Sequence, residues 1–344
     1  MKVLVTGGAG YIGSHMALEL IDKNIEVIVL DNLASGFKKL IPPKAVFIKG
    51  DIGDLDLLNK IFNTHNFDAI AHFAADIKVE ESIENPYKYY KNNTEKTLNF
   101  VNFLSLKKNQ NLIFSSTAAV YDHLNNKLIN EDDKLSPLNP YGYSKMMCEQ
   151  IIKDIAKIST LNYFILRYFN VAGADPSLRS GQLTSKATHL IKVCVECALK
   201  KRPFLEIYGN DYLTTDGTCV RDYIHVSDLI SGHLIALKHL INGGKSDICN
   251  LGYGYGYSVL EIVEKVKKVS GYNFTVKVKN KRRGDPSYLV SNPKKIKEIY
   301  GWNPSHNNIE KIIGSALDWE EKNNLIVWKI KKKCLFKLEI FGND

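Results

Sequence analysis

The feature that most constrains the fold is a glycine-rich turn near the start of the chain, Gly7-Gly8-Ala9-Gly10-Tyr11-Ile12-Gly13. An apolar, β-branched run at residues 2–6 precedes it and an apolar-periodic segment at 13–22 follows, so the turn joins a strand to a helix. Its glycines let the backbone turn tightly and approach a pyrophosphate, while the helix N-terminus presents free N–H groups. The sequence therefore predicts a dinucleotide-binding βαβ unit.

Short apolar runs alternate with helical segments through the first half of the chain. The further predicted strands are residues 26–30, 45–48, 69–73, 112–116 and 163–168. A long helix is predicted from Pro140 to Lys157, because proline is favoured in the first turn of a helix. This alternation predicts an α/β fold with a doubly wound parallel sheet of the Rossmann type.

The second half of the chain is less regular, and its clear helix is predicted at 258–269. We predict a dinucleotide-binding domain over residues 1–170, to which segments at about 220–250 return. Residues 171–323 are expected to form a smaller, mixed α/β substrate-binding lobe. Residues 324–344 are interpreted as a C-terminal extension, for which an added strand, a flexible tail and a membrane-surface contact stay open.

Composition excludes several classes of protein. No run of about 18 apolar residues occurs and the N-terminus runs straight into a strand, so no membrane span or signal peptide is expected and a cytoplasmic location is predicted. The net charge of +9 comes from dispersed lysines, which indicates a solvated surface and no nucleic-acid partner. Cys194 and Cys197 form a C-x-x-C without a second ligand pair, so no metal site is predicted.

Carboxylates at the ends of two strands indicate which dinucleotide is bound. Asp31 ends the second strand, where its carboxylate can accept hydrogen bonds from both adenosine ribose hydroxyls and would repel a 2′-phosphate. NAD is therefore favoured over NADP. Asp51 and Ile52 follow the third strand, where the first can bond the adenine amino group and the second can pack on its ring.

Tyr141 and Lys145 form a Y-x-x-x-K pair on one face of the long helix. We expect the ammonium and a cationic nicotinamide ring to lower the pKa of the phenol, as a general base requires. Thr117 ends the fifth strand at the ligand-facing edge of the sheet, where its hydroxyl can orient a reacting hydroxyl toward Tyr141. These three residues are predicted to carry catalysis by hydride transfer.

Longer motifs carry a resemblance to a known family. They are TGGAGYIGSH at 6–15, DN at 31–32, GDI at 50–52, HFAA at 72–75, SSTAAVY at 115–121, PYGYSK at 140–145, LRYFNVAGA at 166–174, IYGNDYLTTDGTCVRDYIHVSDL at 207–229, GDP at 284–286 and GWNP at 301–304. The chain resembles the UDP-glucose 4-epimerases, members of the extended short-chain dehydrogenase/reductase family, over roughly residues 1–322. The resemblance implies epimerisation of a UDP sugar at C4 through a transient 4-keto sugar, with tightly bound NAD, in a homodimer.

The resemblance also implies site residues. Its cofactor contacts are Gly7, Gly10, Tyr11, Ile12, Gly13, Asp31, Asn32, Ser35, Gly36, Asp51, Ile52, Phe73, Ala74, Ala75, Asn92, Ser115, Tyr141, Lys145 and Phe169. Its substrate contacts are Thr117, Tyr141, Asn170, His189, Leu190, Tyr208, Arg221, Arg282 and Asp285. Two arginines can clamp a diphosphate by charge-assisted bonds, and an aromatic ring such as Tyr208 can cover uracil.

Departures from the family pattern leave the identity of the preferred UDP sugar undecided. Ile77 replaces a lysine of some relatives near the nicotinamide ribose, so that contact is lost or passes to Lys78. His189 replaces an asparagine, Tyr121-Asp122 replaces Tyr-Gly, and Leu289 stands at a position linked to N-acetylated sugars.

Three alternatives are weighed. The first is a 4-epimerase for N-acetylated or uronic UDP sugars. The second, a 4,6-dehydratase, lacks the acid–base pair that should follow Thr117, because Ala118 and Ala119 stand there. The third, a non-catalytic NAD-binding module, would not need Tyr141 and Lys145.

Overall fold

The computed structural model describes residues 1–122, 127–184, 187–282 and 285–323. Its strands are β1 (Lys2–Thr6), β2 (Glu26–Asp31), β3 (Val46–Lys49), β4 (Ala69–His72), β5 (Asn111–Thr117), β6 (Asn162–Tyr168), β7 (Asn170–Ala172), β8 (Leu205–Tyr208), β9 (Val220–Arg221), β10 (Tyr223–His225), β11 (Asp247–Leu251), β12 (Tyr257–Ser258), β13 (Val276–Lys279) and β14 (Tyr288–Leu289). Seven of them form one parallel sheet in the order β11-β6-β5-β4-β1-β2-β3. The predicted fold class, an α/β doubly wound sheet, is confirmed.

The helices flank this sheet and extend into the second half of the chain. They are α1 (Tyr11–Asp22), α2 (Leu55–Thr64), α3 (Val79–Glu84), α4 (Pro86–Tyr89), α5 (Lys96–Ser105), α6 (Pro140–Lys157), α7 (Leu190–Ala198), α8 (Val226–Ile241), α9 (Val259–Ser270) and α10 (Lys294–Glu298). A π-helical turn, Tyr90–Glu95, joins α4 to α5, and residues 309–323 are also helical. Each helix that the structure describes is too short or too polar to cross a bilayer.

Successive side chains of a strand point to opposite faces of the sheet, and apolar residues at both sets of positions explain why helices cover both faces. In β1, Val3 and Val5 pack on one face with Met16 of α1, whereas Leu4 packs on the other face with Leu58 of α2. All five side chains are fully buried. A parallel sheet that is buried on both faces requires such apolar runs, with successive side chains pointing to opposite sides.

The order of strands places a crevice at the carboxyl end of β1. This strand pairs with β2 on one side and with β4 on the other, so the chain changes direction of winding between β1 and β4. Ligands of open α/β sheets bind at such a switch point. The glycine-rich turn after β1 and Phe73 after β4 both lie there.

Short strands outside the large sheet build the opposite wall of the crevice. They are the pairs β7–β10 and β8–β13 and the three-stranded set β12-β9-β14. The sequence motifs do not predict β11, which pairs with β6 at the edge of the large sheet. The predicted C-terminal extension, 324–344, lies outside the described residues.

Candidate functional site

A cleft of about 1860 Å³ runs along the carboxyl edge of the sheet. The predicted site residues that line it are Gly7, Gly10, Tyr11, Ile12, Gly13, Asp31, Asn32, Ser35, Gly36, Asp51, Ile52, Phe73, Ala74, Ala75, Asn92, Thr117, Tyr141, Phe169, Asn170, His189, Leu190, Tyr208, Arg221, Arg282 and Asp285. The structure thus brings together, in one cavity, residues that are far apart in sequence. Lys145 and Ser115, also predicted, lie outside this lining.

The backbone of the glycine-rich turn lies so close to neighbouring backbone that side chains at Gly7 and Gly13 would not fit. Gly7 has a φ of +71°, and a Cβ there would lie 2.6 Å from the backbone nitrogen of Ala74. A Cβ on Gly13 would lie 2.3 Å from the carbonyl oxygen of Gly7. Gly10 is the N-cap of α1 and offers no side chain to the first N–H groups of the helix. Those N–H groups and the positive end of the helix dipole therefore suit a phosphate.

Gly13→Ala is expected to weaken dinucleotide binding by about one to two orders of magnitude. Overpacking against rigid backbone costs about 1–3 kcal/mol, and each factor of ten corresponds to about 1.4 kcal/mol. The measurement is the nucleotide released from purified, denatured protein, quantified by chromatography. Gly314→Ala is the matched control, because a Cβ on Gly314 would meet no atom within 4 Å. Equal nucleotide content in the two variants would contradict the assignment of this turn.

The carboxylate of Asp31 is held in place at the end of β2. Its Oδ2 accepts from the backbone N–H of Ala9 at 2.9 Å, and its Oδ1 accepts from that of Leu33 at 2.7 Å. Burial raises the pKa of Asp31, and these two bonds lower it in part. Each oxygen keeps a second lone pair, so the carboxylate can still accept from ribose hydroxyls.

Asp51 has a partner that the sequence did not indicate. Its Oδ2 accepts from Lys96 Nζ at 2.7 Å and from Asn32 Nδ2 at 2.9 Å. Its Oδ1 accepts from the backbone N–H of Gly53 at 2.8 Å. Lys96 lies at the start of α5 and lines the cleft, so this end of the cavity holds a cation as well as two carboxylates.

The start of α6 positions Tyr141. Asn139 is the N-cap and accepts from the backbone N–H of Gly142 at 2.9 Å, and Pro140 occupies the first turn. Thr117, at the end of β5, accepts from the backbone N–H of Ala119 at 3.2 Å, and its hydroxyl lowers the pKa of the neighbouring Tyr141 phenol. Thr117 and Tyr141 therefore lie on the same stretch of the cleft wall.

In the chain alone, the pKa of Tyr141 does not show the lowering that we expect from Lys145 together with a cationic nicotinamide ring. Burial raises it to about 12, and the neighbouring Thr117 hydroxyl offsets only part of that rise. Burial also lowers the pKa of Lys145 to about 8, and its Nζ donates to the carbonyl oxygen of Ser115 at 2.9 Å. The groups of this chain therefore leave Tyr141 a neutral phenol at neutral pH, and the phenolate requires another positive charge in the cleft.

Ser115, like Lys145, lies behind the residues that line the cleft. Its hydroxyl is hydrogen-bonded to that of Tyr168 at 2.8 Å, and its side chain is buried. Its backbone carbonyl, not its hydroxyl, holds Lys145. Ser115 thus contributes to the site by fixing the lysine from behind the wall of the cavity.

Two arginines lie at the other end of the cleft, and each has a carboxylate partner. Arg221 Nη2 donates to Asp285 Oδ1 at 3.0 Å. Arg282 lies with its guanidinium carbon 3.6 Å from the centroid of the Tyr208 ring and pairs with Glu80 at 2.6 Å between Nε and Oε1. The ring expected to cover uracil thus carries a cation on its face.

Polar side chains at the N-terminus of α7 lie between these ends. Gln182 Nε2 donates to Nδ1 of His189 at 2.9 Å, and burial lowers the pKa of His189, so the imidazole is neutral. Three further positions at which the chain departs from the family pattern, Ile77, Asp122 and Leu289, also line the cleft. They are therefore placed to influence which sugar is accepted.

Within the described residues, no group of three or more His, Cys, Asp or Glu side chains is arranged to hold a metal ion. Cys194 and Cys197 lie on α7, and both are buried. Their thiols are free and burial raises the pKa of each, as in structural cysteines.

Comparison with known proteins agrees with this geometry. The model of the NAD dependent epimerase/dehydratase family matches residues 3–252. The chain is 47% identical to the UDP-glucose 4-epimerase of Azospirillum brasilense, over 93% of this chain and 92% of that protein. A crystal structure of UDP-glucose 4-epimerase from Brucella ovis in complex with NAD superposes with a TM-score of 0.89 at 38% identity, covering 92% and 97% of the two chains. One from Bifidobacterium longum in complex with NAD⁺ and UDP gives 0.88 at 34% identity, covering 94% and 99%.

Proposed function

The chain belongs to the NAD dependent epimerase/dehydratase family, and from that premise we propose that it interconverts UDP-glucose and UDP-galactose as an NAD-dependent UDP-glucose 4-epimerase. The observation that carries the proposal is the meeting of Tyr141 and Thr117 in one cleft between the glycine-rich turn and the two arginines. A hydroxyl pair with a dinucleotide cradle on one side and cations on the other suits oxidation of a sugar attached to a diphosphate.

NAD fits the residues of the first half of the cleft. Its pyrophosphate would lie on the N-terminus of α1, beside Gly10 and Gly13, and Asp31 would accept from the adenosine ribose. When bound, NAD supplies a reversible hydride acceptor and a positive charge beside the reacting hydroxyls. That charge is the one that the buried Tyr141 lacks, since burial holds its pKa near 12 in the chain alone.

The side chains of this chain then handle the proton and the geometry. Tyr141 Oη accepts the proton of the sugar 4-hydroxyl and later returns it, while Thr117 orients both hydroxyls. Lys145, fixed on the carbonyl of Ser115, lies one helical turn behind Tyr141 and favours its anionic form. The transient 4-keto sugar is planar at C4, so reduction on its other face inverts the configuration.

Arg221 and Arg282 hold the part of the substrate that does not react. Charge-assisted bonds to a diphosphate are strong, and a firm grip there leaves the sugar free to present either face. Tyr208, stacked against Arg282, forms the wall at which the uracil ring would pack.

The test is to incubate the purified protein, without added NAD, with UDP-galactose, UDP-glucose, their N-acetyl forms and UDP-glucuronic acid. Chromatography of the products should show inversion at C4 for the first two sugars. Conversion of only the N-acetylated or uronic sugars would instead support the neighbouring 4-epimerase activities. A protein that carries NAD but converts none of these sugars would be a binding module, and the proposed function would be wrong.

We also infer a homodimer formed through α5 and α6. These helices pack against each other and expose Leu98 and Met147, whose side chains are 43% and 40% accessible. Apolar side chains that are exposed on two helices packed against each other favour an interface. Light scattering over a dilution series should give twice the mass of the chain, and Met147→Arg should shift it toward monomer. A monomer at all concentrations of the unaltered protein would contradict the inference.

The proposed site of action is the cytoplasm. The five described cysteines are free thiols, as is usual in a reducing compartment. Fractionation of the source cells tests the inference, and recovery of the protein with membranes or outside the cell would contradict it.

A further inference from the structure

An ion pair joins the two walls of the cleft next to the place proposed for the diphosphate. Glu80 lies on α3, which comes after β4 in the first half of the chain. Arg282 comes shortly after β13, in the second half. Glu80 Oε1 lies 2.6 Å from Arg282 Nε, and both residues line the cavity. No sequence motif singled out Glu80.

The surroundings fix which carboxylate meets the arginine. Glu81, the next residue, is already bonded to Lys88 Nζ at 2.8 Å and to the Tyr89 hydroxyl at 3.0 Å. The face of the Arg282 guanidinium is stacked on Tyr208, so only its edge can donate hydrogen bonds. The Glu80 carboxylate therefore lies against the Nε side of the edge that a phosphate would need, as an ion pair without hydrogen-bond geometry.

We propose that Glu80 competes with the substrate diphosphate for Arg282 and thereby sets how tightly the UDP moiety is held. This inference rests on the proposed function. A carboxylate and a phosphate both need the N–H donors at the edge of the guanidinium, and Glu80 also cancels a positive charge in the cleft. The pair is partly exposed, with side-chain accessibilities of 29% for Arg282 and 45% for Glu80, so its strength is modest and a phosphate can displace it. Glu80 is thus a residue that weakens binding of substrate and eases release of product.

The experiment measures the affinity of the NAD-loaded protein for UDP by calorimetry at low ionic strength. Glu80→Gln should bind UDP about twofold to fivefold more tightly, as expected for the loss of a partly exposed ion pair. The gain should shrink as salt is added, because both the pair and the phosphate contact are screened. Glu264→Gln, which removes the same charge from the exposed surface of α9, should leave the affinity at the wild-type value.

A double-mutant cycle makes the inference specific to Arg282. In an Arg282→Gln background, Glu80→Gln should change UDP affinity no further, since the shared donor is gone. The inference is overturned if Glu80→Gln binds UDP no more tightly than the wild type, or if the gain persists without Arg282. If UDP binds the wild type and only the Glu80 effect is missing, this inference alone is wrong. If the NAD-loaded wild type does not bind UDP, the proposed function is wrong as well.

Discussion

Tyr141→Phe is expected to lower turnover of UDP-galactose by about two to four orders of magnitude, the usual contribution of a general acid–base group. The variant keeps the ring and loses only the hydroxyl, which lies at the cleft with Thr117. The measurement is kcat in a coupled assay, with bound NAD and UDP affinity determined in parallel.

Tyr143→Phe is the matched control for this loss. Tyr143 lies two residues further along α6, its side chain is 37% accessible and it does not line the cleft. Its substitution should leave turnover close to that of the wild type. If Tyr141→Phe keeps more than about a tenth of the activity, a factor worth only about 1.4 kcal/mol, Tyr141 is not the proton acceptor. Retention of NAD and UDP binding by the inactive variant would show that the loss lies in the chemical step.

The parts of the fold that could be predicted from the sequence are those whose conformation depends on residues nearby in the chain. The glycine-rich turn, the strands of the first half and the helix Pro140–Lys157 follow from local periodicity, proline and glycine. Their bounds were right to within one or two residues. The edge strand β11 escaped prediction because its sequence, Asp247–Leu251, is short and mixes polar with apolar residues, and pairing with β6 decides its conformation.

Site features that depend on long-range contacts could not be predicted. The pairing of Lys96 with Asp51 joins residues 45 positions apart, and that of Arg282 with Glu80 joins the two halves of the chain. A motif identifies the type of a charged residue, but it does not identify the oppositely charged residue that forms an ion pair with it in the fold. The pKa of Tyr141 shows the same limit, since Lys145 and a nicotinamide charge suggested a lowered value, whereas burial raises the pKa in the chain alone.

A buried ion pair behind the proposed catalytic residues should have the largest effect on stability. Arg167 of β6 and Glu149 of α6 are buried, with Nη2 and Oε2 2.6 Å apart. Glu149 also accepts from the hydroxyl of Ser116 at 2.5 Å, and Arg167 donates to that of Tyr121 at 2.8 Å. The pair therefore ties the helix that carries Tyr141 to the two strands that end at Thr117 and Tyr168.

Arg167→Met is expected to reduce the free energy of unfolding by about 3–5 kcal/mol, because it leaves the Glu149 charge buried without its partner. The melting temperature of the NAD-loaded protein should fall by at least about 5 °C at fixed protein and NAD concentrations. Lys157→Met, which removes a charge from a fully exposed pair with Asp154, should melt close to the wild type. The double variant Glu149→Leu/Arg167→Met should regain most of the lost stability, since two apolar side chains leave no unpaired charge.

If Arg167→Met has the same melting temperature as the Lys157→Met control, the ion pair does not hold α6 against the sheet. If the double variant melts no higher than Arg167→Met, the loss comes from packing, and the unpaired charge is not its cause.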